Sequence, residues 1–505
     1  MVLHRELVFL LASRRTTSTG LLHRNIRYAE VSLMRQFALL PYLLAVASLT
    51  AIPASLLASP NEPICVDPTR PSICYTTISE AVYAASAGDT ITVASGTFHE
   101  QLSIEKELTI AGSGAGSTFV EPNSSFTTIL VISDAVRLTL SNLTLGNAAV
   151  SDLYCGGAIR NLGVLTATNV AILHGSTPVS GGAICNTSKG TMTLDNVLID
   201  DAQAPARGGA IDNLGLAVLT HTTIRNSSTT DPADGLGGGI RNQGTMTITA
   251  STVEANAAAI GGGIYNTGKL YIADSAIQAN HAVTVGGGIW NGRTLFVYRS
   301  EISENRAKVS GGGIWDADAA VLTNVTISGN AAPTGAAIFV DGPGTQISYA
   351  TIAGNLDGPA ISRSQNASMP YFRAGLIAAN LVGNCSQPVA SSGHNLEDGD
   401  SCDLSPTADK LNAYAHLDSL RQNSPGTTRT MALLAGSAAI DAIPADGCTD
   451  LAGQHVSTDQ RGVARPVGAG CDIGAYEYQP AGPSPNPTPG PSGGTSILHL
   501  PLITR

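Results

Sequence analysis

At 505 residues the chain exceeds the ~250–300 residues at which one compact core usually stops growing. Only 13% of it is charged while glycine reaches 55 residues, a balance that suits short strands and tight turns rather than helices. The net charge is −11 with only five lysines, which argues against nucleic acid as a partner, because its phosphates would be repelled.

Residues 1–59 differ from the rest. Arg35 precedes an apolar run from Phe37 to Leu57 that ends among small residues, with Ala45-Val46-Ala47 as one small-x-small site. That order reads as an export signal that is removed, with Met34 as an alternative start. A membrane anchor is the competing reading, since the run nearly spans a bilayer, but Pro41 and Pro53 interrupt it. An exported chain without a transmembrane helix in its mature form, extracellular or at the cell surface, is the expectation.

From residue 60 the character changes. Ile78, Ala81, Val82 and Ala85 form one apolar helical stripe between Thr76 and Ser86. Alternating segments follow at Thr90–Val93, Gly96–Phe98, Leu102–Ile104 and Leu108–Ile110, as half-buried strands do. A short helix before the first strand suits the exposed end of a solenoid, whose bare edge would invite pairing with other chains.

The phrase Gly-Gly-(Gly/Ala)-Ile then recurs, ending at Ile159, Ile184, Ile211, Ile240, Ile264, Ile289 and Ile314, with a weaker Gly-Ala-Ala-Ile at Ile338. The isoleucines are 25, 27, 29, 24, 25, 25 and 24 residues apart, a period that signals stacked repeats. Alignment on Asn256, Asn280, Asn305, Asn330 and Asn355 gives each coil three apolar clusters separated by turns. Examples are Leu270/Ile272, Ile277 and Ile289. The expected fold is all-β: a right-handed parallel β-helix of three-strand coils, with asparagine ladders inside and glycine corners where φ > 0 is needed.

The opening phrases Thr77-Ile78-Ser79-Glu80-Ala81-Val82, Ala87-Gly88-Asp89-Thr90-Ile91 and Gly96-Thr97-Phe98-His99-Glu100 resemble those of secreted right-handed β-helix proteins of the pectin-lyase-like superfamily. The resemblance implies the fold, and leaves lyase, esterase or a non-enzymatic role open. Between 384 and 478 the phrases Ser392-Gly393-His394-Asn395-Leu396, Ala432 to Asp441, Asp459-Gln460-Arg461-Gly462 and Cys471-Asp472-Ile473-Gly474 resemble the choice-of-anchor Q region of bacterial surface proteins. That resemblance implies surface association without a defined reaction. The expected organisation is thus 1–59 signal, 60–383 β-helix, 384–478 a small disulfide-bonded region, and 479–505 a Pro/Gly-rich linker with a short apolar tail. The tail reads as a sorting signal or as a frayed end.

All eight cysteines follow the signal, which favours disulfides. Cys65–Cys74, Cys385–Cys402 and Cys448–Cys471 are natural local pairs. Cys155 lies four residues before its repeat isoleucine and Cys185 one after, an offset that predicts an open pair unless a turn intervenes.

Chemistry is harder to find. Two carboxylates ~5–9.5 Å apart would serve glycoside hydrolysis, yet Asp274 aligns with Arg299 and Glu254 with Gln278 and Ser303, which reads as structural pairing. Polygalacturonase and pectin methylesterase motifs are missing; His174 and His394 each touch only one glycine. Asp398, Asp400 and Asp403 form a weak Ca²⁺ candidate, with a solvated, disulfide-pinned loop as the plainer reading. Asp459, Arg461, Arg465 and Asp472 are expected to satisfy a buried turn network. The residue after each repeat isoleucine gives the column Tyr265, Trp290, Trp315 and Phe339, which faces outward if isoleucine faces in. Those rings are candidates for binding a glycan or partner surface, or for stacking on one another. The functional expectation is a non-enzymatic secreted or surface β-helix that acts in adhesion or binds an extracellular polysaccharide or surface protein, with a polysaccharide lyase or glycoside hydrolase as the alternative.

Overall fold

The computed structural model describes residues 64–123, 128–151, 154–405 and 408–480. The expected signal and the terminal tail lie outside the described residues. The described residues belong to one compact unit, built on a right-handed parallel β-helix. No described helix is long and apolar enough to cross a membrane.

The repeat isoleucines form one inner wall. Eleven short strands stack in one sheet, in which Ile159, Ile184, Ile211 and Ile240 are direct register partners. Ile264, Ile289, Ile314 and Ile338 continue the row, and none of the eight is more than 1% exposed. A parallel stack of identical residues forces every copy to the same face, because strand side chains alternate with period two.

A second, larger sheet is folded along its length into two wings. Five-residue strands such as Lys269–Ala273 and Thr294–Tyr298 make the broad wing, with Leu270, Ile272, Leu295 and Val297 turned inward. Three-residue strands such as Thr252–Glu254, Ala276–Gln278 and Glu301–Ser303 make the narrow wing. One left-handed residue joins the wings in each coil, including Asn196, His221, Ala250, Asp274 and Arg299, with φ from 47° to 52°. A second left-handed residue follows the narrow wing at Asn226, Ala255, Ala279 and Glu304. A third short sheet, Gln203–Ala204 to Arg306–Ala307, then leads to the glycine corner.

Two buried asparagine ladders run through the coils. The expected one carries amide-to-amide bonds of 2.9–3.1 Å from Asn256 through Asn280, Asn305, Asn330 and Asn355 to Asn380. A second, not singled out in the sequence, runs two residues after each repeat isoleucine. It links Asn161, Asn186, Asn213, Asn242, Asn266, Asn291 and finally Asp316 at 2.7–2.8 Å.

The helix Ile78–Ala84 covers the first coil. Its N-cap Thr77 accepts from the Glu80 N–H, and Glu80 reaches back to the Thr76 N–H, a reciprocal cap.

All four disulfides are closed. This corrects the expectation for Cys155 and Cys185, whose Cα atoms are 5.6 Å apart. The reason is the glycine corner. Gly156 has φ +88°, and a Cβ there would stand 2.3 Å from the Ile159 carbonyl and 3.2 Å from the Arg160 N–H. The chain folds so tightly that the position four before the isoleucine lies over the column one after it.

The long sheet continues beyond residue 384, where Ala390–Ser391 pairs with Tyr371–Phe372 and Leu396–Glu397 with Leu376–Ile377. The chain then turns back along the narrow wing. The hairpin of Leu417–Gln422 and Arg429–Leu433 reaches Glu301 through Arg429 at 2.7 Å. Gln460 accepts from Thr326 Oγ1 at 2.7 Å, and the Ala475 N–H donates to Thr351 Oγ1 at 2.9 Å. A second apolar core forms where Tyr349, Ala374 and Leu376 of the β-helix meet Ile443, Val456 and Ile473 of the returning segment.

Candidate functional site

The returning segment reaches the narrow wing as far back as Gln278, which Arg429 touches, and its Pro425–Thr427 turn lies beside Ala250, Asp274 and Arg299; the coils before these keep an open outward face. Its central column is set by strand register: Leu173, Asp200, Arg225, Glu254, Gln278 and Ser303 are successive partners. Beside it run Ala171, Leu198, Thr223, Thr252 and Ala276. At the far end the same outward column carries His99 opposite Glu121.

Arg225 donates to Asp200 Oδ2 through Nε at 3.0 Å and Nη2 at 2.8 Å, and Asn226 Nδ2 donates to Oδ1 at 2.8 Å. Burial raises the Asp200 pKa, but the bonds from Arg225 and Asn226 outweigh it and hold the carboxyl below its ordinary range. The Asp200 hydrogen bond, then its charge, raises Arg225, and the nearby Glu254 charge adds to this. Arg225 nevertheless leaves 41% of its side chain exposed. Glu254 Oε2 accepts from Gln278 Nε2 at 2.8 Å, and Gln278 Oε1 in turn accepts from Arg429 Nη2 at 2.9 Å. The returning segment therefore braces one end of the row.

Asp200 and Glu254 stand two rungs apart on one outward column, about 9–10 Å by strand spacing. The column thus carries two carboxylates on one face, with the Arg225 guanidinium on the rung between them, at a spacing at or beyond the limit expected of a hydrolytic pair. The pair was hidden because Glu254 follows Arg225 by 29 residues, the extra length lying in the loop around Pro232–Gly237. The signal available in the sequence was the three-residue strand pattern itself, Leu-Ile-Asp, Thr-Ile-Arg, Thr-Val-Glu and Ala-Ile-Gln.

The edges of the strip are polar. Asn142, Asn169 and Asn196 bond in series at 3.1 and 2.7 Å along one corner, with His221 Nδ1 and Asp195 Oδ1 beside them at 3.1 Å. A shallow cavity of about 360 Å³ follows this corner, between Asn169, Leu198, His221 and Thr223. On the other edge His174 Nδ1 lies 3.0 Å from Asp201 Oδ2.

The aromatic column lies on the isoleucine sheet. Tyr265, Trp290, Trp315 and Phe339 are consecutive partners and half-buried. Tyr265 stacks on Trp290 with ring centroids 4.4 Å apart, and Trp315 on Phe339 at 4.4 Å. Within each pair, one face of each ring is taken by its neighbour. In the same column Arg241 and Asp212 form an ion pair at 2.7 Å and bury each other.

Asp274 pairs with Arg299 at 2.6 Å, as the alignment predicts. Near Cys402 the acids serve the loop: Asp398 accepts from the Ala379 N–H at 2.7 Å and Asn384 Nδ2 at 2.8 Å, and Glu397 from the Ser401 N–H at 2.9 Å. Among the described residues no three His, Cys, Asp or Glu side chains converge on a metal position, so Asp398, Asp400 and Asp403 are not assembled as a Ca²⁺ cage. The late charged residues do form a buried network: Asp459 pairs with Arg461 at 2.7 Å and Arg465 with Glu477 at 2.7 Å. Arg465 also reaches Asn324 of the β-helix at 3.4 Å.

No protein-family profile matches this chain, and no curated protein matches it either. Among solved structures, a XylC complex with xylose is 11% identical, covering 82% of this chain and 98% of that one with a TM-score of 0.44. Pectate lyase Pel9A is 13% identical over 83% of this chain and 96% of its own, with a TM-score of 0.38. The A-module of Azotobacter vinelandii mannuronan C-5 epimerase AlgE4 is 12% identical over 62% and 93%, with a TM-score of 0.37. These likenesses concern the parallel β-helix alone; the chemistry of this chain has to be read from its own residues.

Proposed function

We propose that this protein binds an extended polysaccharide along the open strip, as an exported or surface-attached β-helix. The observation that supports the reading is the row Asp200, Arg225 and Glu254, one polar side chain per rung on an open column that ends at Gln278 beneath Arg429. The rung spacing of about 4.8 Å is of the same order as the advance of one pyranose unit in an extended chain, so each sugar meets one rung. The row is already held by its own hydrogen bonds, which lowers the ordering cost of binding. The export-like run at Phe37–Leu57 and the resemblance of 384–478 to surface-protein regions support the location.

The test is co-sedimentation of the purified protein with a panel of insoluble and gelled polysaccharides. Arg225→Ala is expected to weaken retention by about ten-fold, the loss of one charge-assisted contact, without lowering the thermal midpoint by more than a few degrees. Both tryptophans lie on the aromatic column, so a glycan-dependent change in their fluorescence, with binding untouched by Arg225→Ala, would move the site to Tyr265, Trp290, Trp315 and Phe339.

The Asp200 and Glu254 separation favours cleavage as a second reading. By rung spacing it lies at the upper limit of, or just beyond, the ~6.5–9.5 Å used by inverting glycosidases. Asp200, held ionised, fits the base that activates water, and Glu254 the acid. New reducing ends formed by the native protein, and lost in Glu254→Gln while retention persists, would support it; no ends from any bound glycan would sink it.

A further inference from the structure

We infer that the open strip takes a glycan of N-acetylated amino sugars, and that the shallow cavity along its edge seats the acetamido groups. The inference rests on the glycan-binding reading above and adds the class of ligand.

The cavity of about 360 Å³ joins two kinds of surface. One wall is the amide series Asn142, Asn169 and Asn196, set on left-handed corners of successive coils with φ from 52° to 55°. Asn142 Oδ1 accepts from Asn169 Nδ2 at 3.1 Å, and Asn169 Oδ1 accepts from Asn196 Nδ2 at 2.7 Å. The floor is apolar and partly exposed, made by Ala115, Ala171 and Leu198.

The turn itself does not require these amides. On the next two rungs the same corner is His221 and then Ala250, at φ 48° and 47°, so the backbone bends there without a carboxamide. The two ladders inside the coils are buried and answer backbone carbonyls, as Asn256 does for Ile224 and Asn161 for Thr191. Asn169 and Asn196 are instead exposed. A carboxamide has two N–H donors and an oxygen with two lone pairs. The series uses one donor of each, and leaves the second N–H of each and the Asn196 oxygen unbonded among the described residues.

An acetamido group fits both surfaces. Its N–H and carbonyl continue the amide series, and its methyl covers Leu198 and Ala171, removing apolar surface from water. A hydroxyl in its place leaves the floor bare. A carboxylate meets no free cation, because among the described residues lining the cavity the one titratable group is His221, which is tied to Asp195. Asn142 and Asn196 stand two rungs apart, about 9–10 Å. In a β-1,4-linked chain successive sugars face opposite ways, so acetamido groups return to one edge at every second sugar, a repeat of the same order. The hydroxyls between them reach Thr223 and Arg225, which share one strand and one face.

Calorimetric titration near neutral pH tests this with four probes of equal length: N-acetylated chito-oligosaccharides, their deacetylated forms, cello-oligosaccharides and oligogalacturonates. Salt at about 0.15 M limits attraction of the polycation to an acidic chain. The N-acetylated chains are expected to bind at least about ten-fold more tightly than the other three. Two variants place the site, each with a thermal midpoint within a few degrees of the native protein. Leu198→Thr takes the residue already present at Thr223 on the next rung, and Asn196→Ala the residue present at the Ala250 corner. Each should weaken the N-acetylated chains about five- to ten-fold. Asn366→Ala, on an exposed turn outside the strip, should change nothing measurable. Equal losses in all three variants, or no loss in either cavity variant, overturn the cavity as the seat. Cello-oligosaccharides or deacetylated chains bound as tightly, or oligogalacturonates bound more tightly, overturn the acetamido class and leave glycan binding standing. Retention of another polysaccharide by co-sedimentation, with N-acetylated chains unbound, does the same. If no probe binds and the co-sedimentation panel is also empty, the glycan reading fails with it.

Discussion

At the scale of single residues, the asparagine ladders carry the heaviest obligations. Asn291 is fully buried, accepts from Asn266 Nδ2 at 2.7 Å and donates to Asp316 Oδ1 at 2.7 Å and to the Ala319 carbonyl at 3.2 Å. Alanine there leaves two buried polar partners unmet, each costing ~1–3 kcal/mol. Asn291→Ala is therefore expected to destabilise by about 2–6 kcal/mol, read as a lower urea midpoint with an unchanged slope. Asp316 ends that ladder as an acid whose carboxyl is raised by burial and opposed by bonds from Thr345 and Asn291. The Asn256 ladder adjoins the left-handed corners Ala255, Ala279 and Glu304, while at Ala250 and Arg299 the following serines form a series of their own, the Ser251 and Ser275 N–H groups donating to Ser275 and Ser300 Oγ. A left-handed residue costs roughly 1–2 kcal/mol, and the rungs above and below hold each corner in place.

At the scale of elements, the glycine corner is the joint of every coil. Gly261 has φ +65°, and a Cβ there would stand 2.6 Å from the Ile264 carbonyl oxygen, a backbone atom that has no other place to go. Gly261→Ala adds that clash to the left-handed penalty and is expected to cost at least about 2 kcal/mol. The loss would register as a lower thermal midpoint and as faster amide exchange in Ile260–Asn266, ahead of distant coils, because each coil leans only on its neighbours. Gly239, one residue before its isoleucine, has ordinary φ, and a Cβ there would meet the Gly263 carbonyl oxygen at 2.9 Å and the Asn256 side chain at 3.1 Å. Alanine is already present at the equivalent Ala158, Ala183 and Ala210, so Gly239→Ala is the milder companion variant.

At the scale of the whole molecule, the returning segment decides which part of the β-helix is surface. It seals the narrow wing over Gln278, Glu301, Thr326 and Thr351 and leaves the earlier rungs open. Its anchor is a buried charged network whose Asp472 is pushed up to about 7, first by burial and then by the Glu477 charge; Glu477 is raised as well. A carboxyl raised in the folded state lends stability at low pH, fully present below the ordinary value of 3.8 and lost as pH climbs through about 7. Thermal midpoints are accordingly expected to fall between those values, apart from other titrations, and Asp472→Asn should flatten that decline. An unchanged slope in the variant would show that Asp472 does not control it.

The repeat by itself determined the parallel coil, the inward isoleucines and the Asn256 ladder, because each recurs at a spacing visible along the chain, and three of the disulfides were legible as local cysteine pairs. The capping helix was equally legible from Ile78, Ala81 and Val82. Tertiary structure alone decided the rest. The Asp200, Arg225 and Glu254 row depends on a loop insertion that breaks the spacing in sequence while the strands stay in register in space. Cys155 and Cys185 meet only because a left-handed glycine reverses the chain between them. Which face remains open depends on Arg429, Gln460 and Ala475 reaching strands more than a hundred residues earlier. Periodicity records what neighbouring coils share; a fold-back contact is made once, so no period announces it.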